Sequence, residues 1–114
     1  MINKESLKKI KKIKRPIVFI PMAADIIHYG HVRLLKKSSK YGNIVVGLMT
    51  DIGLETYKKK PYFNYQKRKE LLASIKYIKL IIPLNGLVYA EISEIIEPDF
   101  FLHGSDWNKG PQNF

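Results

Sequence analysis

Apolar positions along the chain alternate between two rhythms, short unbroken runs and stripes at helical spacing. Ile17 to Ile20 and Ile44 to Met49 are continuous runs rich in β-branched side chains. Such runs suit strands covered on both faces, since a strand with one wet face alternates apolar and polar residues. Tyr77 to Ile82 and Phe100 to His103 predict a third and a fourth strand. Pro21, which has no N–H for a ladder, predicts the close of the first. Between the runs the spacing becomes helical. Val32, Leu34 and Leu35 lie among cationic residues from Gly30 to Tyr41, and Gly42 stands where a helix C-terminus favours glycine. Thr50 or Asp51 can cap a short helix through Tyr57. Asn64 is placed to cap another through Lys76, with Leu71, Leu72 and Ile75 as its stripe. A last helix runs from Leu87 to Glu97 on Val88, Ile92, Ile95 and Ile96, and Pro98 ends it.

Strands alternating with helices predict an α/β fold, a doubly wound parallel sheet with helices on both faces. In such sheets ligands bind beyond the carboxyl ends of the strands. Ahead of the first strand, Leu7, Ile10 and Ile13 recur among lysines from Asn3 to Lys14. Residues 1–15 therefore read as a basic amino-terminal helix and residues 16–114 as a single domain. A chain of 114 residues has room for one such core.

Composition narrows the chemistry. There are no cysteines, which excludes disulfides, thiolate metal sites and a cysteine nucleophile. No apolar run approaches the ~20 residues of a membrane helix, and no signal-peptide core follows the lysine-rich start, so a cytoplasmic protein without stable membrane insertion is expected. The formal charge of +10 favours anionic ligands without choosing among them. Of the lysine runs, only Lys58 to Lys60 adjoins a candidate site. The amino-terminal helix is short and brings no RNA-binding aromatic signature, so nucleic acid is not an expected partner.

The most informative tetrapeptide is His28-Tyr29-Gly30-His31, between the end of the first strand and the start of the next helix. Histidines three apart at a helix entrance face the same side, and the unpaired N–H groups of the first turn favour phosphate. Gly30 would let backbone approach a ligand. Two imidazoles there can hold a polyphosphate, or they can simply cap the helix. Asp25 is open to the same two readings, a helix cap or a contact to a cationic acceptor group.

His28 to His31 resembles the HxGH signature of the cytidylyltransferase-like nucleotidyltransferases, with Met22-Ala23-Ala24-Asp25 in place of the segment leading into it. The likeness continues in order through Gly47 to Asp51, Tyr57 to Tyr62, Tyr65 to Lys69 and His103 to Trp107. The resemblance is greatest to the branch that uses CTP to activate phosphocholine, glycerol phosphate or 2-aminoethylphosphonate. It implies a Rossmann-like fold and transfer of CMP from CTP, or of AMP from ATP, to a small phosphorylated acceptor. It further implies that His28, His31, Lys59 and Lys60 serve catalysis. Met22, Ala23, Gly30, Arg68, Gly104, Asp106 and Trp107 would bind nucleotide, and Asp25 the acceptor. Magnesium would arrive with the nucleotide rather than on a protein metal site, and relatives of this type form homodimers.

The sequence departs from the family pattern at Pro21, where glycine is usual, at Ala23, where a hydroxyl is usual, and at Ser105, where an acid is usual. The final family block, an arginine and an Ile-Ser-Thr-Thr-like segment, has no counterpart after Trp107. These departures imply weaker triphosphate binding and leave a catalytically weak nucleotide-binding remnant as an alternative.

Overall fold

A computed structural model describes residues 2–55, 61–86, 89–102 and 112–113. The elements are α1 (Lys4–Lys11), β1 (Ile17–Met22), α2 (Tyr29–Ser38), β2 (Asn43–Met49), α3 (Asp51–Glu55), α4 (Tyr65–Ala73), β3 (Ile78–Leu84), α5 (Tyr89–Ile96), β4 (Phe100–Phe101) and β5 (Gln112–Asn113). The sheet order is β3-β2-β1-β4-β5. The first four strands are parallel, and β5 pairs antiparallel with β4. The unbroken apolar runs thus form the centre of the sheet. β1 is in register with β2 from Ile17 opposite Asn43 to Met22 opposite Leu48.

Side chains of β1 alternate between two cores, as a strand buried on both faces requires. Ile17 and Phe19 join one cluster with Val45, Met49, Ile92 and Ile96. Val18, Ile20 and Met22 join the other with Val46, Leu34, Leu35 and Leu72. α5 therefore covers one face, while α2 and α4 cover the other, which is the Rossmann-like α/β architecture. Ile10 of α1 is buried in the first cluster, and Ile2 and Ile13 pack against it. The amino-terminal helix spends its apolar stripe on the core and leaves its lysines exposed. No helix among the described residues is long and apolar enough to cross a membrane.

Two local expectations are corrected, and one short strand is added. Pro21 does not close β1 but lies within it. Ile17 and Phe19 offer their carbonyls to Asp99 N and Leu102 N on the β4 side. Odd-numbered residues therefore turn their backbone groups toward β4, and Pro21 falls beyond the pairing, which covers Val18 and Phe19. With Leu102 N bonded to the Phe19 carbonyl, the next ladder donor would be residue 21, so the missing N–H ends the pairing with β4 while β1 continues against β2. Pro83 likewise continues β3, which is an edge strand. Gly42 does not terminate α2, whose C-cap is Ser39 in the right-handed region. A Cβ at Gly42 would lie 2.4 Å from the Pro16 carbonyl oxygen, so the glycine admits a close backbone crossing instead. β5 was not expected, because two polar residues carry no strand pattern.

Candidate active site

The strand order reverses direction at β1, with β2 and β3 on one side and β4 on the other. Crevices at such switch points, beyond the carboxyl ends of the strands, are where open α/β sheets bind ligands. Here the chain leaves Met22, turns through Ala23 to Ile27 and enters α2 at His28. Ala24 is buried and left-handed, with φ 53°. An L-residue held there costs on the order of 1–2 kcal/mol and persists only where its surroundings impose it.

His28 is the N-cap of α2, in extended conformation. Its Nδ1 accepts a hydrogen bond from Gly30 N at 3.0 Å, while His31 Nδ1 accepts from His28 N at 3.1 Å. The pair forms a capping box in imidazole, each ring satisfying helix-entrance donors that would otherwise be orphaned. The ring centroids are 4.2 Å apart. Because Nδ1 accepts in both rings, the neutral tautomer carries its proton on Nε2. The cap therefore prepares two Nε2–H donors at the positive end of a helix. Burial, and then the neighbouring His28, lower the His31 pKa from its usual value. A Cβ at Gly30 would lie 2.7 Å from His28 Cε1, so the cap itself requires glycine at that position.

Arg68, expected as a phosphate contact, is turned toward protein oxygens. The residue is fully buried. Its Nη1 donates to the Ala23 and Met49 carbonyls at 2.8 and 2.7 Å, and Nε donates to Phe63 O at 3.0 Å. Nη2 donates to Asp51 Oδ1 at 2.7 Å in an ion pair. With those donors committed to protein oxygens, the guanidinium braces the site instead of lining it. Asp25 does not cap α2, a task taken by His28. Its carboxylate accepts from Tyr62 N at 2.9 Å and Phe63 N at 3.0 Å. The loop leading to the histidines is therefore laced to the segment before α4. Asp51, Arg68's partner, gave no sign of this pairing in the sequence, since the two are 17 positions apart.

Met22 turns its side chain into the core, at 3% exposure, and the Ala23 methyl packs against the opposite cluster. Nucleotide contacts from this pair would have to come from backbone. Lys59, Lys60, Gly104, Asp106 and Trp107 lie outside the described residues. Among the described residues no group of three or more His, Asp or Glu is arranged to hold a metal.

Two histidines capping a helix beyond the carboxyl end of the first strand, at the point where the strand order reverses, define an α/β domain with a helix entrance suited to an anion. The chain belongs to the cytidylyltransferase-like family, whose model matches residues 23–113. It is 39% identical over 85 residues to the glycerol-3-phosphate cytidylyltransferase of Staphylococcus aureus, an alignment covering 73% of this chain and 64% of the relative. Against the Bacillus subtilis protein of the same name it is 34% identical, covering 73% and 66%. The bifunctional protein HldE of Syntrophotalea carbinolica is 27% identical, with 91% of this chain matched to 23% of that protein. The chain thus spans slightly under two-thirds of the length of the two glycerol-3-phosphate cytidylyltransferases. Among solved structures, the lipopolysaccharide core biosynthesis protein from Thermoplasma volcanium superposes with a TM-score of 0.64 at 27% identity, covering 75% of this chain and 70% of that one.

Proposed function

We propose that the chain transfers CMP from CTP to a small phosphorylated alcohol, with glycerol phosphate the first acceptor to test. An acceptor oxygen attacks the α-phosphorus, the bond to the β-phosphate oxygen breaks, and pyrophosphate leaves. The observation that carries this reading is the imidazole capping box, because it fixes the tautomer in which each ring donates through Nε2. Donors oriented before the reaction stabilise charge growing on the phosphoryl oxygens without reorganising, and no covalent intermediate is needed. Lys59 and Lys60 would add charge over the phosphates.

Magnesium fits as a companion of the triphosphate. Both oxygens of the nearby Asp25 are already engaged by backbone N–H groups, so phosphate oxygens and water would be its ligands. Its chemistry would be charge neutralisation on the leaving pyrophosphate. A cytoplasmic homodimer is part of the same proposal, and exposed Tyr29, Ile52 and Tyr62 supply apolar surface for a second copy to cover.

A second reading, a nucleotide binder with little turnover, is favoured by the inward turn of Arg68, which withdraws one expected phosphate contact. A screen of CTP and ATP against glycerol phosphate, phosphocholine and 2-aminoethylphosphonate, with magnesium and pyrophosphate detection, separates the two. Release with CTP and one acceptor supports the transferase. CTP binding without release under any pairing supports the binder, and release with ATP alone would move the chain to adenylyl transfer.

A further inference from the structure

We infer that Arg68 is a positioning residue: it holds the strained turn at Ala24 and through that turn sets the His28 and His31 cap relative to the end of β1. Three observations converge on this. First, Ala24 keeps φ 53° while buried in the apolar cluster with Met22 and Leu34, where its methyl cannot relax toward solvent. Nothing in alanine favours that conformation, so neighbouring contacts must hold it.

Second, the residues on either side of Ala24 are both tied. The Ala23 carbonyl accepts from Arg68 Nη1, and the Asp25 carboxylate accepts from the N–H groups of Tyr62 and Phe63. These ties meet, because Arg68 Nε donates to the carbonyl of the same Phe63. Third, the guanidinium is itself anchored on the Met49 carbonyl at the end of β2 and on Asp51 at the start of α3. The turn is thereby referenced to the strand beside it. His28 follows Ala24 by four residues, so a relaxed turn would move the cap.

A planar fork with donors along two edges can span these oxygens, and an ammonium point charge cannot. Arg68→Lys therefore keeps the charge and loses the geometry. The inference rests on the transferase reading for its kinetic readout alone. Misplaced groups cost transition-state stabilisation more than ground-state binding, so Arg68→Lys should lower kcat by about tenfold or more while shifting the KM for CTP less than about threefold. Glycine adopts the left-handed turn unaided, so in an Ala24→Gly background the same substitution should lower kcat by no more than about threefold.

Equal losses in the two backgrounds, or a loss confined to the KM for CTP, would overturn the inference, the latter restoring Arg68 as a phosphate contact. A second readout needs no turnover. Nitrogen chemical shifts of 15N-histidine in the free protein report whether Nδ1 still accepts. Arg68→Lys should move the His28 and His31 signals, and Ala24→Gly should return them toward wild type. Unmoved signals in folded Arg68→Lys sink the proposal whether or not the chain turns over CTP. Should that variant not fold, Asp51→Ala is the substitute, since the Asp51 side chain is 41% exposed and its loss leaves three of the hydrogen bonds in place. The same pattern at smaller amplitude is expected from it, and its absence counts against the inference equally.

Discussion

At each end of β1 an arginine ties neighbouring segments together by the same means, carbonyl oxygens and one aspartate. Below the strand, Arg15 donates to the Glu97 carbonyl at 2.6 Å, to the Ile96 carbonyl at 3.3 Å and to Asp99 Oδ2 at 3.0 Å. Above it, Arg68 donates to Ala23, Met49, Phe63 and Asp51. Each arginine also grips a carbonyl at or beside a left-handed residue, Glu97 with φ 51° or Ala24 with φ 53°. They differ in solvent. The Arg15 side chain is 49% exposed and that of Arg68 fully buried. Water can reach the exposed partners of Arg15, whereas the bond from Arg68 to the Met49 carbonyl is buried and its bonds to Ala23, Phe63 and Asp51 are part-buried. The same chemistry is therefore an optional brace at the far end and an obligatory one at the site.

The comparison breaks most readily on stability. Removing one partner from a buried charged cluster leaves the others desolvated and unpaired, at about 3–5 kcal/mol. Exposed ion pairs are worth about 1 kcal/mol or less. Arg68→Ala should therefore cost about 3–5 kcal/mol in urea unfolding and Arg15→Ala under about 1.5 kcal/mol, the carbonyl contacts included. Similar costs at the two ends would mean that burial does not distinguish them.

Function sharpens the contrast. His31→Ala should lower turnover at least about a hundredfold, on the order of 3 kcal/mol in the barrier, while costing the fold only the ~1 kcal/mol of a lost cap. Arg15→Ala should leave turnover unchanged, because its partners Ile96, Glu97 and Asp99 lie at the end of β1 opposite the histidine cap. Steady-state rates beside melting curves check both, and near-normal turnover in His31→Ala would remove His31 from the mechanism.

How much of this was legible depends on how local each cause is. The central strands and the stripes of α2 and α5 follow from a few adjacent residues, and so does the capping position of His28. Whether Pro21 breaks a strand depends on which neighbour its missing N–H faces; it ends the pairing with β4, about eighty positions away in the chain, and leaves that with β2 intact. Arg68 sits in the first turn of a helix, where a guanidinium can face solvent, phosphate or protein. Only the meeting of β1, β2 and the α4 entrance decides, through acceptors 45 and 19 positions distant. The tautomer of the histidine pair was equally hidden, since spacing alone does not say that each ring accepts through Nδ1.

Proton linkage gives a smaller effect, confined to the site end. The folded pKa of His31 lies below its unfolded value of about 6.5, so the unfolded chain binds more protons as the pH drops past that point. The stability contributed by neutral His31 is full above about pH 6.5 and is lost as the pH falls toward the folded pKa. Glutamine at this third helical position can accept from the N-cap N–H without titrating. His31→Gln should flatten the dependence of unfolding free energy on pH between 8 and 5, roughly the span in which histidine titrates. A slope unchanged by that substitution would assign the dependence to another group.

The smallest effect concerns the two left-handed residues themselves. Glu97 follows α5, donates its N–H to the Ser93 carbonyl at 2.9 Å and is exposed. At such a helix exit glycine is the usual residue, since it adopts positive φ without a Cβ clash. Glu97→Gly removes the strain and no buried atoms, so it should stabilise the chain by about 0.5–1 kcal/mol. Ala24→Gly relieves the same backbone strain, but it also removes a methyl buried in the core beside Met22 and Leu34, and a lost methyl costs about 1 kcal/mol. The two terms oppose, and the net change should lie within about 0.5 kcal/mol of zero. Calorimetric melting of both variants measures the difference. A gain at Ala24→Gly as large as that at Glu97→Gly would show that the buried methyl contributes little, and that solvent exposure is not what separates the two ends of β1.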